Sequence, residues 1–355
     1  MSAHAPAAAQ PYLHPSAWTA AQMRERTDWI VRLDARDNDE LRAALAHAKA
    51  RGAGIPSLAA EDFPLPRLAA ILRDVRDEVT DGRGFVLLRG LRIDDLGAAD
   101  AAAIYWGIGA HMGRGRAQNA QGEVLGHVTD IGVDYLKNAN ARGYQSRLML
   151  PFHNDLTDIV GLLCLAPARS GGASRIVSST TIHNVLIERH PELAETLYRT
   201  FPIDRRGEAR DGRAPWYPAP AFERVDGRLF CRYNRTYVES SQRFPDAPRL
   251  TPEQHAAMDA VDALCEDPSL TLDMELETGD MQFISNYTVL HSRTAYEDWP
   301  EKERRRYLLR LWLDTGRFAR IPDSWMERYA DLDAWQRTPK PPVFDLSARR
   351  ADLIH

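Results

Sequence analysis

The residues of this sequence best suited to chemistry are two histidines and an aspartate. His153 and Asp155 lie two residues apart in PFHND, after an apolar run, and His291 ends the run VLH far along the chain. Positions i and i+2 of a strand face the same way, so His153 and Asp155 can converge on one ion. Two imidazoles and a carboxylate form the facial triad of mononuclear Fe(II) oxygenases, which leaves coordination positions open for catalysis. We therefore predict a metal site at these three residues.

Zinc is the competing metal. A structural zinc site requires four ligands, mostly Cys and His in close pairs, whereas Cys164, Cys231 and Cys265 are widely separated. Their spacing and odd number instead predict buried free thiols. A catalytic zinc with the same three ligands and a bound water, as in a hydrolase, stays an alternative.

Two arginines in the last apolar run, RYLLRLWLD, extend this hypothesis. Arg306 and Arg310 are four positions apart, so they share a strand face with Leu308, and we expect that face to be the barrel interior. A buried guanidinium needs an anionic partner. A dicarboxylate co-substrate would chelate iron at one end and present its distal carboxylate to the planar Arg fork. The neighbouring Arg304 and Arg305 are typical of an exposed charged loop.

In order along the chain, GFVLLRG, PFHND, SGGAS, GDMQFISN, VLH and RRRYLLRLWLD resemble the taurine dioxygenase-like (TauD/TfdA) branch of the Fe(II)/2-oxoglutarate dioxygenases. The resemblance covers roughly Gly84 to Asp314. It implies a mainly β fold with α-helices, in which a double-stranded β-helix, or jelly-roll, is padded by helices. These helices come from the N-terminal third and from the insert between the two halves of the motif.

The resemblance also implies a co-substrate site. In the family, a Ser or Thr after a Gly-Gly pair assists binding of the 2-oxoglutarate carboxylate, which maps onto Ser174. The Arg near the start of the last strand clamps the same carboxylate, which maps onto Arg306. A second Arg four residues later, Arg310, reaches the substrate or the co-substrate, and the two arginines can exchange roles. The implied cofactor is Fe(II), with 2-oxoglutarate and O2 as co-substrates.

The implied reaction is oxidative decarboxylation of 2-oxoglutarate by O2 to succinate and CO2, coupled to hydroxylation of an unactivated C–H bond in a small polar metabolite. Desaturation or ring closure of the substrate are alternative outcomes. Asp155 disfavours the halogenating branch of the family, which has a small residue at that position. Two other functions stay open, a metal-dependent hydrolase and a non-catalytic ligand-binding jelly-roll protein.

The candidate substrate-binding residues are Arg310, Tyr144, Gln145 and Asp158. An Arg not occupied by the co-substrate favours an anionic group on the substrate, whereas Asp158 favours a cationic one. The alternative interpretation of Asp158 is a surface turn residue. Residues 118–123, QNAQGE, precede the barrel and are a candidate lid.

Composition limits the partners. The 355 residues carry a net charge of −5 and the pI is near 6.1, which removes the broad attraction that drives nucleic-acid or anionic-membrane binding. A small-molecule partner is expected, and a homo-oligomer is compatible with the sequence. No segment approaches the ~18 apolar residues of a membrane span. The N-terminal segment lacks signal-peptide features, so we expect a cytoplasmic location.

We expect one dioxygenase domain over residues 21–340, helical to about residue 115 and with the jelly-roll core at about 120–315. Residues 1–20 and 341–355 are expected to be loose tails. Four helices are predicted in the N-terminal third. The first follows a Ser16 cap and runs to about Leu33, and the second runs from Asp37 to Gly52. The third, in PLPRLAAILRDVRDEVTDG, ends at Gly82, and the fourth begins near Asp94.

A short buried strand is predicted between Gly84 and Gly90. Beyond about Val124 the predicted strands are 148–153, 160–166, 174–179, 228–233, 272–277, 281–285 and 306–314. Two helices interrupt them, at 180–189 and 252–265. Thr251, Pro252 and Gln254 form the N-cap, N1 and N3 positions of a capping box at the start of the second helix.

Overall fold

The computed structural model describes residues 10–134, 142–210 and 212–337. Its helices are α1 (Ala20–Arg24), α2 (Ala35–Ala50), α3 (Leu68–Asp81), α4 (Ala98–Ala110), α5 (Ser179–Arg189), α6 (Pro191–Leu197), α7 (Arg235–Ser241), α8 (Pro252–Cys265) and α9 (Asp323–Arg337). No helix in these ranges is long and apolar enough to cross a membrane.

The strands of the first half are β1 (Ile30–Arg32), β2 (Phe85–Arg89), β3 (Arg114–Gly115), β4 (Leu125–Val128), β5 (Leu150–His153), β6 (Ile159–Ala166), β7 (Ser170–Gly171) and β8 (Ser174–Ser178). Those of the second half are β9 (Thr200–Asp204), β10 (Trp216–Pro220), β11 (Phe222–Val225), β12 (Arg228–Cys231), β13 (Leu272–Met274), β14 (Met281–Ser285), β15 (Val289–Arg293), β16 (Tyr296–Glu297) and β17 (Tyr307–Asp314).

Two sheets form the core. The larger has the order β1-β2-β14-β6-β17-β3, with β4 also paired to β17, and the smaller has the order β13-β8-β15-β5. Most pairs are antiparallel, and β1 with β2 is the parallel exception. This arrangement confirms the predicted mainly β, helix-padded jelly-roll.

The side chains of β17 alternate between the two faces of the larger sheet. Leu309, Leu311 and Leu313 belong to the same apolar cluster as residues of α2, α3 and α4. Arg310 and Trp312 alternate with them and therefore project from the opposite face of the sheet. The helices of the N-terminal third thus cover one face, and the other face is left to the interior of the jelly-roll.

Several predicted boundaries are confirmed. Helix α3 ends at Asp81 with Gly82 as its C-cap, and strand β2 occupies the run between Gly84 and Gly90. At the start of α8, the Thr251 hydroxyl accepts from the Gln254 backbone N–H and the Gln254 side chain accepts from the Thr251 N–H.

The N-terminal segment differs from the prediction. Ser16 does not cap a helix; its hydroxyl bonds with Thr180 and is buried. Thr19 caps the short helix α1 instead. Trp18 packs its ring edge against Phe85, with ring centroids 4.9 Å apart, so residues 10–20 are not a loose tail. Residues 1–9 and 341–355 lie outside the described residues.

Other differences concern element boundaries. Asp37 does not open α2 but occupies its N3 position, since Asp34 is the N-cap. Helix α5 ends at Arg189, and Pro191 starts α6, because a proline at N1 lacks only an N–H that the helix does not use. The sequence analysis missed the insert strands β9, β10 and β11 and helix α9. The domain limits of 21–340 stay a prediction.

Gly161 in β6 tests the packing between the larger sheet and its helices. A Cβ at this position would meet the Tyr105 hydroxyl and lie 2.9 Å from a Phe283 ring carbon. We expect Gly161→Ala to lower the free energy of unfolding by about 1–3 kcal/mol, measured by urea denaturation. Gly54→Ala, where no atom lies within 4 Å, is the control. Equal urea concentrations at the midpoint of unfolding for the two variants would contradict this packing.

Candidate metal centre and substrate cavity

The structure brings His153, Asp155 and His291 together, with one potential ligand atom from each lying within 4.8 Å of the others. His153 ends β5, and His291 is the directly opposed residue in the middle of β15. Their ring centroids are 4.4 Å apart. Asp155 lies two residues beyond the end of β5, so the turn after the strand, rather than a shared strand face, brings it to the two imidazoles.

Asn154 holds that turn in place and was missed by the sequence analysis. Its side-chain N–H groups donate to the carbonyls of Cys231 and Asn286, at 2.6 and 2.9 Å. Its side-chain oxygen accepts from the Tyr233 N–H. The Asn286 side chain in turn accepts from the Asp155 N–H at 2.9 Å. Asn154 therefore fixes the backbone between the two candidate ligands.

Both imidazoles are held in the neutral form that can bind a metal. His153 Nδ1 lies 2.8 Å from the Pro151 carbonyl and donates to it, which leaves Nε2 with the lone pair. His291 Nδ1 is buried without a hydrogen-bond partner among the described residues. Burial lowers the pKa of His153, and burial together with the proximity of His153 lowers the pKa of His291 to about 3.

Asp155 is held in the ionised form. Burial alone would raise its pKa, but the Arg310 guanidinium, the two imidazoles and the Trp312 indole together lower the pKa to about 2. Arg310 Nη1 is 3.3 Å and Trp312 Nε1 is 2.9 Å from Asp155 Oδ2. Two neutral imidazoles and one carboxylate are a donor set that fits a divalent first-row metal such as Fe(II).

A cavity opens on His153 and Asp155. Two of the predicted substrate-binding residues, Tyr144 and Arg310, line it, and the Arg310 guanidinium lies 4.6 Å from the Tyr144 ring centroid. Gln118 also lines it and accepts from Arg310 Nε at 2.8 Å. Gln118, the first residue of the predicted lid, therefore orients Arg310.

Gln145 and Asp158 are not brought to this cavity. The Gln145 side chain accepts from the Arg142 backbone N–H instead. Asp158 is buried and accepts from the Tyr287 hydroxyl, the Thr315 N–H and the Thr315 hydroxyl. It therefore does not line the metal-facing cavity, and its burial rules out the surface turn. The Tyr287 hydroxyl also contacts the Tyr329 hydroxyl at 2.7 Å, which connects Asp158 to α9.

Arg306 occupies a separate buried position immediately before β17. Its guanidinium lies 5.1 Å from the Tyr296 ring centroid, and its Nη1 has no hydrogen-bond partner among the described residues. Gly172 of SGGAS has φ +77°, and a Cβ there would lie 3.0 Å from Arg306 Nε. A glycine is therefore required for this close approach. Ser174 begins β8, and its hydroxyl donates to the Gln282 side chain at 2.8 Å.

Comparison with known proteins gives the following matches. The profile of the family described as "Taurine catabolism dioxygenase TauD, TfdA family" matches residues 42–312. FR-33289 synthase of Streptomyces rubellomurinus is 30% identical over 323 residues, which cover 89% of this chain and 94% of that protein. Taurine hydroxylase-like protein SAT17 of Stachybotrys chartarum is 31% identical over 309 residues, covering 83% and 77% of the respective chains.

Solved structures show the same fold. An asparagine oxygenase in complex with Fe(II), 2S,3S-3-hydroxyasparagine and succinate superposes with a TM-score of 0.63 at 19% identity, over 83% of this chain and 98% of that one. The non-heme iron oxygenase OrfP in complex with Fe and alpha-ketoglutaric acid has a TM-score of 0.62 at 15% identity, over 81% and 94% of the chains.

Trp312 tests the support of the candidate ligand Asp155. We expect Trp312→Phe, which removes the indole N–H but keeps an aromatic ring, to weaken Co(II) binding about tenfold, because groups that orient metal ligands have effects of that size. Competition with a fluorescent chelator measures the affinity. Trp299→Phe is the control, since Trp299 stacks on Arg304 away from the site. An unchanged Co(II) affinity in Trp312→Phe would show that the Trp312 indole does not support Asp155.

Proposed function

Since this chain belongs to the taurine catabolism dioxygenase TauD, TfdA family and is an Fe(II)- and 2-oxoglutarate-dependent dioxygenase, we propose that His153, Asp155 and His291 are its iron ligands. The observation that carries the assignment is the convergence of their three ligand atoms within 4.8 Å. In the described ranges, no other group of His, Cys, Asp or Glu side chains has this geometry.

When bound, the iron supplies the O2 chemistry that couples oxidative decarboxylation of 2-oxoglutarate to oxidation of a substrate C–H bond. The protein residues prepare the site for it. The Pro151 carbonyl fixes the His153 tautomer, and Arg310 with Trp312 holds Asp155 ionised. Because these partners are already in place, little reorganisation accompanies metal binding.

Arg306 is proposed to bind the distal carboxylate of 2-oxoglutarate. Its buried guanidinium has an unused donor at Nη1. Arg310 is less suited to this role because Asp155 and Gln118 already bind it. The Ser174 hydroxyl would assist by exchanging its bond to Gln282 for one to the same carboxylate.

The enzyme hydroxylates a small molecule, and Tyr144 and Arg310 are proposed to contact that substrate. The name of the taurine hydroxylase-like relative and the hydroxylated asparagine bound in the structural neighbour support hydroxylation over desaturation. Family membership leaves no support for the hydrolase and binding-module alternatives. A cytoplasmic location, a homo-oligomeric state and the absence of nucleic-acid binding stay predictions of the sequence.

Removing one ligand tests the iron site directly. We expect His291→Ala to lose stoichiometric Fe(II) binding and all substrate-dependent succinate release, because two remaining side chains hold a labile divalent ion poorly. Anaerobic equilibrium dialysis followed by metal analysis measures the occupancy. The exposed His190→Ala is the matched control. Full iron occupancy in His291→Ala would refute the assignment.

A second substitution tests the co-substrate clamp. Arg306→Lys keeps the charge but loses the two-pronged contact, so we expect the KM for 2-oxoglutarate to rise on the order of 10-fold to 100-fold. Succinate release against 2-oxoglutarate concentration measures this value. Arg304→Lys, on the exposed loop, should leave it unchanged. If Arg310→Lys raises the KM and Arg306→Lys does not, the two arginines have exchanged roles.

A further inference from the structure

A second, apolar cavity lies beside the metal-facing cavity. Its described lining comes from the insert between Asp155 and His291, and its apolar side chains include Leu197 of α6, Phe201 and Ile203 of β9, Ala219 of β10, Val238 of α7 and Met258 of α8. Each of these six side chains is at most 5% exposed. The insert therefore encloses a small apolar space, which we call the insert cavity.

The insert cavity and the metal-facing cavity share part of their walls. Arg232 and Asn234 line both of them. Asn234 also forms a β-bridge with the proposed ligand His153, and Arg232 donates to the carbonyl of the next residue, Asn154, at 3.3 Å. The insert cavity therefore adjoins the metal-facing cavity beside the proposed metal ligands.

The polar groups in the wall of the insert cavity are bound within the protein. The Tyr233 hydroxyl donates to Asp262 at 2.6 Å, and the Asn234 side chain accepts from the Tyr237 N–H at 3.2 Å. In the described part of this wall, every buried side-chain N or O atom has a hydrogen-bond partner. A buried water needs about two to four polar partners. The wall therefore favours an apolar molecule over water.

The size of the insert cavity limits its occupant. The centre of a water-sized molecule can occupy about 10 Å³ of it, which is the space that one such molecule requires. Among the molecules that an Fe(II)- and 2-oxoglutarate-dependent dioxygenase binds, 2-oxoglutarate is a dicarboxylate, and a substrate with a C–H bond to hydroxylate is larger than water. O2 is diatomic and apolar, so it matches both the size and the polarity of the insert cavity.

We propose that the insert cavity binds O2 and supplies it to the metal-facing cavity. The inference rests on the proposed function, because the insert cavity adjoins the proposed iron ligand His153. Most side chains that line the metal-facing cavity are polar or charged, so an apolar gas gains little from contact with them. An apolar space beside them raises the local concentration of O2 and holds it there when the substrate fills the larger cavity.

Methyl NMR of the full chain, kept without iron so that no O2 is consumed, tests O2 binding directly. Met258 lines the insert cavity, whereas Met281 of β14 is equally buried and does not line it. Because O2 is paramagnetic, we expect O2 pressure to accelerate the relaxation of the Met258 methyl group several-fold more than that of Met281. N2 at the same pressure should have no such effect. Equal relaxation of the two methyl groups under O2 would overturn the O2 site.

Filling the insert cavity tests where the O2 binds. Ala219→Val adds two methyl groups to its wall, and we expect the O2 effect on Met258 to be lost. Ala256→Val, on the exposed face of α8, is the matched control and should keep the effect. An O2 effect on Met258 that survives in Ala219→Val would overturn the assigned location. If Ala219→Val does not fold, the comparison of Met258 with Met281 in the unaltered chain still decides.

The supply role is tested on the full chain loaded anaerobically with Fe(II) and 2-oxoglutarate, whose visible charge-transfer band bleaches when O2 is added. At limiting O2 we expect bleaching to be several-fold slower in Ala219→Val than in the unaltered chain, and unchanged in Ala256→Val. Equal bleaching rates in the two variants would overturn the supply role. Absence of the band in the unaltered chain would instead overturn the proposed function, and the O2 effect on Met258 would still test the insert cavity independently.

Discussion

The direct pairing of His153 with His291 across β5 and β15 is the constraint on which the site depends. It places two imidazoles 4.4 Å apart, where burial and mutual proximity disfavour protonation of either ring. A nearby carboxylate can stay ionised there only if fixed donors stabilise it. Arg310 and Trp312 provide these donors from β17 of the larger sheet. The site therefore joins both sheets of the jelly-roll, and its geometry requires their correct packing.

The three guanidiniums near the site have different electrostatic surroundings. Arg310 is matched to Asp155, Arg306 has an aromatic ring and an unused donor, and Arg232 has only neutral partners. Since a buried cation requires compensation, a dicarboxylate co-substrate at Arg306 would supply an anion to its unpartnered Nη1. Ligand binding would then contribute to stability as well as to catalysis.

The sequence predicted the candidate reactive residues better than the contacts that hold them in place. The proposed ligands and Arg306 were predicted as candidates because their residue types, strand context and family motifs agree. The buried partners of Asp158 were not predicted because the burial of a carboxylate depends on distant residues, here Tyr287 and Thr315. Asn154 was missed for the same reason. Trp18 was placed in a tail because an Ala- and Pro-rich neighbourhood does not reveal that Phe85 receives its ring.

The burial of Asp158 also explains how the cavity wall is held. Asp158 accepts from Tyr287, whose hydroxyl contacts Tyr329 of α9, and the same helix carries Arg328 and Leu332 to the cavity. Helix α9 is thus attached to the core by a buried polar contact between side chains, whereas the proposed metal ligands lie on or next to paired strands of the smaller sheet. Paired strands tolerate few changes, because a shift in register moves every side chain. A docked helix can exchange its cavity-facing residues without disturbing that register, so the substrate range can change while the ligand geometry is kept.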